Sequence, residues 1–276
     1  MSIFFAGNML RQRHGIFNSP FAKFTMSYLV VAGGGGAGGL SQNGDSGGGG
    51  AGGLLTGTIS GASGITFVAT RGVGGLIGST DGIIDFAGSN GGNSSLVYGA
   101  STILAYGGGG GASANQNAVA GGSGGGNNIA SPTSGVSGQG YNGGLGDGFQ
   151  LGDMGGGGGA GGLGGNAYYD APNDTYYSGA GGIGLPISIT GTSVYYAVGA
   201  IGNGNNSSQP DTIGYGGYGS GGNATDQINF GNGYNGIIII SVPTSKYTGN
   251  VTNAVVTTSG SNTIIAWSGL SGTYIS

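Results

Sequence analysis

The chain has 276 residues, of which 75 are glycine and none is cysteine, and its formal net charge is −4. Hydrophobic residues make up 37% and charged residues 5%, a balance unlike that of flexible glycine-rich linkers, so a folded protein is expected. Disulfides are excluded, and with one histidine (His14), no cysteine and no glutamate, triads, zinc centres and paired-glutamate chemistry are nearly excluded. The chain is read as a non-enzyme with no cofactor and no metal.

Residues 1–26 form a basic arm that holds Arg11, Arg13 and Lys23, whereas all the carboxylates lie after residue 44. Its stretch "MLRQRHGIF" mixes basic and apolar groups, and Arg11, Arg13 and Phe17 are the candidates for anchoring to a partner protein. The start lacks a continuous apolar core, and the longest aliphatic run, 237–240, is far too short to span a bilayer. A soluble, unprocessed protein without membrane insertion is expected. The carboxylates after residue 44 have only Arg71 and Lys246 as cations beside them, an acidic balance that argues against nucleic acid.

Residues 27–243 form the glycine-rich body. Each ordered glycine costs roughly 0.5–1 kcal/mol more than alanine in lost backbone freedom, on the order of tens of kcal/mol over the chain. Glycine has no side chain to bury, so the compensation must come from backbone packed on backbone through N–H···O bonds and Cα–H···O contacts. A collagen triple helix needs glycine at every third position and abundant proline, and this chain has irregular tracts and six prolines. The better fit is a bundle of polyglycine II helices, each with three residues per turn and bonded sideways to its neighbours. Between the tracts recur "YLVVA", "GITFVA", "SLVYGASTILAYGGGGG", "PISITGTSVYYAV" and "GIIIISVP", short β-branched pieces that predict strands. The run 237–240 lacks alternation, which predicts a strand buried on both faces. No window supports a capped amphipathic helix. The expected fold is all-β and irregular: a glycine-rich sandwich of polyglycine II helices with short β-strands and almost no α-helix.

Motifs with chemical content are few. G-x-G-x-x-G strings arise by chance at this glycine content, and "GGGGAGGL" lacks the Lys-Ser/Thr of a phosphate loop. Asp147 and Asp153 flank "GFQLG", and Asp170 and Asp174 flank "APN". Calcium uses such oxygens, but aspartates in Gly/Asn-rich loops more often cap turns, and that is the expectation here. Tyr168, Tyr169, Tyr176 and Tyr177 crowd "NAYYDAPNDTYYSG", and Tyr215 and Tyr218 stand in "IGYGGYGSGG". Tyrosine with Asn, Asp and Ser is the composition of surfaces that stack on sugars or peptides, although the same tyrosines would serve to cover the ends of a glycine lattice. Residues 244–276 are a Ser/Thr/Val-rich C-terminal β extension.

The order of segments resembles the glycine-rich domain of bacteriophage tail-fibre and receptor-binding (adhesin) proteins. "YLVVAGGGG" opens it, the middle runs through 65–75, 90–111 and 155–165, and "GYNGIIIISVP" closes it, with "AVGAIGNG" at 197–204 in place of a purer glycine run. The tail "NTIIAWSGLSGTYIS" is similar to a β-repeat that follows such domains. The resemblance implies a virion structural protein, made in the host cytoplasm and placed in the tail or on the exterior of the particle. It would join other virion proteins through the arm, with a homo-oligomer possible, and bind a bacterial surface glycan or outer-membrane protein through its loops. The alternative is a decoration or fibre protein with a purely structural role.

Overall fold

The computed structural model describes residues 23–39, 45–61, 63–81, 84–128, 131–147, 153–203, 217–224 and 231–276. Two antiparallel sheets form one end of the molecule. The five-stranded sheet has the order β11 (Val255–Ser259), β12 (Asn262–Trp267), β10 (Ile237–Pro243), β1 (Phe24–Val31), β2 (Leu54–Gly61). The four-stranded sheet has the order β13 (Ser271–Ile275), β3 (Thr66–Thr70), β4 (Ser94–Tyr98), β5 (Ser101–Ala105). Alternate residues of both sheets meet in one core: Met26, Val30, Ile238, Ile240 and Trp267 from the first, Phe67, Leu96 and Tyr274 from the second. Two-residue turns joining β4 to β5 and β11 to β12 begin at Gly99 (φ 54°) and Gly260 (φ 57°), where an L side chain would be strained.

The opposite face of the five-stranded sheet is also covered. Leu29, Val31, Ile237, Ile239 and Ile264 pack with Tyr196 and with Leu185 and Ile187, which lie on the hairpin of β8 (Leu185–Ile187) and β9 (Val194–Tyr196). Strand β10 is therefore buried on both faces, as its unbroken isoleucine run implied. The segment 244–276 is joined to both sheets: β12 pairs with β10, and β13 pairs with β3. At the other boundary, β1 begins at Phe24, so residues 24–26 of the expected arm are strand.

The rest of the body is a lattice of glycine tracts, and its bonding shows a three-residue repeat. In the first tract Gly33, Gly36 and Gly39 donate to the carbonyls of Gly92, Ser89 and Phe86 (3.0, 2.9 and 2.9 Å). Gly34 and Ala37 donate to Tyr234 and Gly231 (2.9 and 2.7 Å), and Gly35 and Gly38 to Gly50 and Gly47 (2.8 and 3.1 Å). Partner numbers fall by three as donor numbers rise by three, so each of these neighbours is antiparallel. Gly108 and Gly111 donate in turn to Gly33 and Gly36, Gly75 and Gly78 to Gly34 and Ala37, and Gly222 to Gly35. In the first two of these sets the numbers rise together, so those neighbours are parallel. A tract surrounded in this way, with successive N–H groups aimed in three directions, has the geometry of a polyglycine II helix.

The tract 155–160 repeats the arrangement. Gly155 and Gly158 donate to Asn127 and Gly124, Gly156 and Gly159 to Gly165 and Gly162, and Gly157 and Ala160 to Ala200 and Ala197. The "AVGAIGNG" segment thus takes a lattice position despite its side chains; Ala197, Val198 and Ala200 are buried there. Among the described residues there is no α-helix, only a 3-10 turn at Thr244–Lys246.

Candidate functional site

The register gives the lattice two ends. Tracts 32–39, 47–53, 86–93, 106–112 and 231–236 run directly into β1, β2, β4, β5 and β10, which defines the sheet end. The far end is where Gly38 meets Gly47 and Gly155 meets Asn127. Gly156 bonds Gly165, and Ala167 donates to the carbonyl of Leu145 (2.7 Å), so the chain leaving 165 emerges at the far end. There it makes a hairpin of β6 (Tyr168–Asp170) and β7 (Thr175–Tyr177).

In this hairpin Tyr168 stands opposite Tyr177, and Tyr169 opposite Tyr176. Successive strand residues point to opposite faces, so each face of the ribbon carries one tyrosine pair. The ring centroids of Tyr168 and Tyr177 are 4.9 Å apart with planes 13° apart, and those of Tyr169 and Tyr176 are 4.5 Å apart at 33°. Tyr168 is 56% exposed. The Tyr169 hydroxyl donates to an Asp174 carboxylate oxygen (2.7 Å), which holds that phenol above its usual range, and the Asn173 amide donates to Asp170 (2.7 Å). Asp174 adopts φ 47° in the turn. Asp170 and Asp174 are therefore engaged by side chains of the hairpin itself, while the turn's N–H groups at Asn173 and Asp174 donate to the backbone carbonyls of Asp170 and Ala171.

Tyr218 is not part of this group. Its carbonyl accepts from Ala197 N–H (3.0 Å), directly after β9, which places it at the sheet end. Tyr215 and the arm residues Arg11, Arg13 and Phe17 lie outside the described residues.

Asp153 departs from the turn-capping expectation. Its side chain is 2% exposed, and neither carboxylate oxygen has a hydrogen-bond partner. Burial pushes its carboxyl up to about 6, with Asp147 and Asp45 adding repulsion. Asp45 is likewise raised to about 6, by burial and then by Asp85. Among the described residues no three Asp, Glu, His or Cys side chains are placed to hold a metal ion.

The G-x-G-x-x-G strings find no nucleotide-binding context. A Cβ on Gly33, Gly36 or Gly38 would collide with the carbonyls of Val73, Leu76 and Ala112, so these glycines are spent on lattice contacts. Sequence reasoning missed a role for the many asparagines. Asn90 and Asn93 accept from the N–H groups of Gly110 and Gly107 (2.9 and 2.8 Å), and Asn232 and Asn235 from those of Ile77 and Gly74 (2.8 and 3.0 Å). The detectable signal is the spacing of three, which equals the helical repeat.

The described residues form a polyglycine II lattice closed at one end by two β-sheets. The chain belongs to the glycine-rich domain family, whose model matches residues 15–243 and so ends where β10 ends. No match is found among curated proteins.

Proposed function

We propose that this chain is a virion structural protein of the bacteriophage tail-fibre or tip-adhesin kind, which meets a host-surface receptor through segments carried on the glycine scaffold. The observation that supports the reading is the position of the 168–177 hairpin: it stands at the far end of the lattice, while β1, the strand that follows the arm in sequence, begins at Phe24 at the sheet end. An anchor at one end and an exposed aromatic ribbon at the other suit a tip protein. Ring faces flanked by Asp and Asn suit a neutral surface glycan or an outer-membrane protein loop. Joining to other virion proteins falls to the basic arm, at Arg11, Arg13 and Phe17.

The purely structural alternative has its own support. Tyr168 stacks on Tyr177, Tyr169 lies tilted against Tyr176, and Tyr169 is tied to Asp174, so the ribbon is largely self-satisfied. A variant with Tyr168, Tyr169, Tyr176 and Tyr177 all changed to Ala separates the two. The adhesin reading expects a nearly unchanged melt and weakened adsorption to host cells; unchanged adsorption by a folded variant favours the structural role. Removing residues 1–22 leaves every strand of the described residues whole and is expected to give a folded body that no longer enters particles.

A further inference from the structure

One dipeptide recurs in the lattice with one geometry. At Asn90-Gly91, the Gly91 N–H donates to the Gly108 carbonyl (2.9 Å) while the Asn90 side-chain oxygen accepts from the Gly110 N–H, two residues further along the same tract. At Asn142-Gly143 the partners are the Thr133 carbonyl and the Gly135 N–H (both 3.0 Å). At Asn232-Gly233 they are the Gly75 carbonyl and the Ile77 N–H, and at Asn235-Gly236 the Gly72 carbonyl and the Gly74 N–H. In every case the glycine bonds residue m of an adjoining antiparallel tract and the asparagine reaches over to residue m+2.

In the lattice interior the N–H of residue m+2 would donate to a further tract. Among the described residues no such tract accepts from them, and Asn90, Asn142, Asn232 and Asn235 are exposed, so these are edges of the described lattice. Two of the clamps border open grooves. One, of about 330 Å³, is lined by Asn90, Asn93, Gly107 and Ala120; the other, of about 610 Å³, by Gly135, Asn142, Tyr141 and Leu163. An edge row of unpaired N–H groups is a template for another chain, as at an open β-sheet edge. The polypeptide that matches such a row is a glycine tract with a three-residue repeat, and each copy of this chain carries many of them.

We propose that the Asn-Gly pairs are edge clamps: each supplies the acceptor that a missing lattice neighbour would have supplied, and so stops the lattice from adding the glycine tracts of a second copy. The clamp does this at a surface position, so removing it exposes donors without opening the interior. Closure against self-association is distinct from any role in receptor binding and stands whether or not the 168–177 hairpin binds a host.

The test compares two double variants, Asn90→Ala with Asn142→Ala, and Asn232→Ala with Asn235→Ala, by sedimentation and light scattering over a concentration series. The expected result is a mass that climbs with concentration to about twice the wild-type value or more. The matching Asn→Asp variants keep an acceptor and are expected to hold the wild-type mass, also in raised salt where their added charges are screened. Alanine variants that keep the wild-type mass throughout overturn the proposal, and they do so even if their melting point falls, because the clamps are then local bonds only. Should a double variant fail to fold, the single change Asn142→Ala carries the same comparison.

Discussion

The sheet end of this molecule packs side chains, and the lattice packs backbone. Around Trp267, Phe67 and Tyr274, all fully buried, the core is made of large apolar groups that interdigitate between two sheets. Around Gly157 there is no side chain to pack, and the space where one would begin is held by the carbonyl oxygen of Gly49. The two regions therefore fail differently. A side-chain core loses stability in proportion to the volume removed, because its neighbours relax in part. Gly157 admits no partial answer: the obstacle is a main-chain carbonyl held by its own hydrogen bond from Ala200 N–H, and no rotamer relieves it.

The largest effect is accordingly expected in the lattice. Gly157→Val, or Gly158→Val against the Tyr141 carbonyl, is expected to abolish cooperative unfolding altogether. A Val variant that melts at the wild-type temperature would remove the distinction between the two regions. The control is Gly64→Ala, where nothing stands within 4 Å of the new Cβ and only the backbone angle (φ 83°) resists. That change is expected to cost about 1–2 kcal/mol.

Next comes the joint between the sheets. Trp267→Ala removes the largest buried side chain and the bond from its indole N–H to the Thr252 carbonyl (3.0 Å). The expected loss is about 3–5 kcal/mol in denaturant titration, with the transition still cooperative. A loss below about 1 kcal/mol would mean that the two sheets are not held together by a shared core.

A smaller effect concerns acid at the far end. Asp153 and Asp45 have folded-state carboxyls near 6, raised above the ordinary value of 3.8. The folded protein thus binds protons more tightly than the unfolded chain at these two sites. Their protonated forms favour folding fully below about pH 4, and that contribution is lost as pH rises toward about 6. Asp153→Asn is expected to raise the melting temperature at pH 7 by about 2–4 °C and to flatten its decline between pH 4 and 6. A variant with the wild-type slope across that window would show that Asp153 is ionised without penalty. The four-tyrosine hairpin variant should move the melt least of all, since the ribbon stands outside both cores.

Much of the sheet end was legible. "YLVVA", "GITFVA" and "GIIIISVP" became β1, β3 and β10, and the single piece "SLVYGASTILAY" split into β4 and β5 at Gly99, because β-branched runs between glycines have few other uses. Strand β2 escaped notice: "LLTGTISG" carries Gly57 in its interior and Gly61 at its end, and it is strand because β1 offers it a full-length partner. The tail reads as β in isolation, but only its pairing shows that Ile265, Trp267 and Tyr274 complete the shared core. For the tyrosines, sequence proximity grouped 168–177 because a hairpin is local, whereas only the tertiary structure shows that Tyr218, from a separate segment, lies at the sheet end.

The composition by itself determined that the chain would fold through its backbone: this much glycine, with apolar pieces between and neither the period nor the proline of collagen, leaves a polyglycine II lattice as the way to satisfy the N–H and C=O groups. It also left the chain one histidine and neither cysteine nor glutamate. Only the tertiary structure decided which tract lies beside which, where the lattice stops, and which asparagines close it. The physical reason is that glycines are interchangeable in sequence. A tract such as 33–39 carries nothing in its own side chains that distinguishes Gly50, Gly92 or Tyr234 as partners, although they lie far apart along the chain. Neighbour choice is set by where the strands at the sheet end deliver each tract, and by the bulk of the few side chains that no interior position can hold.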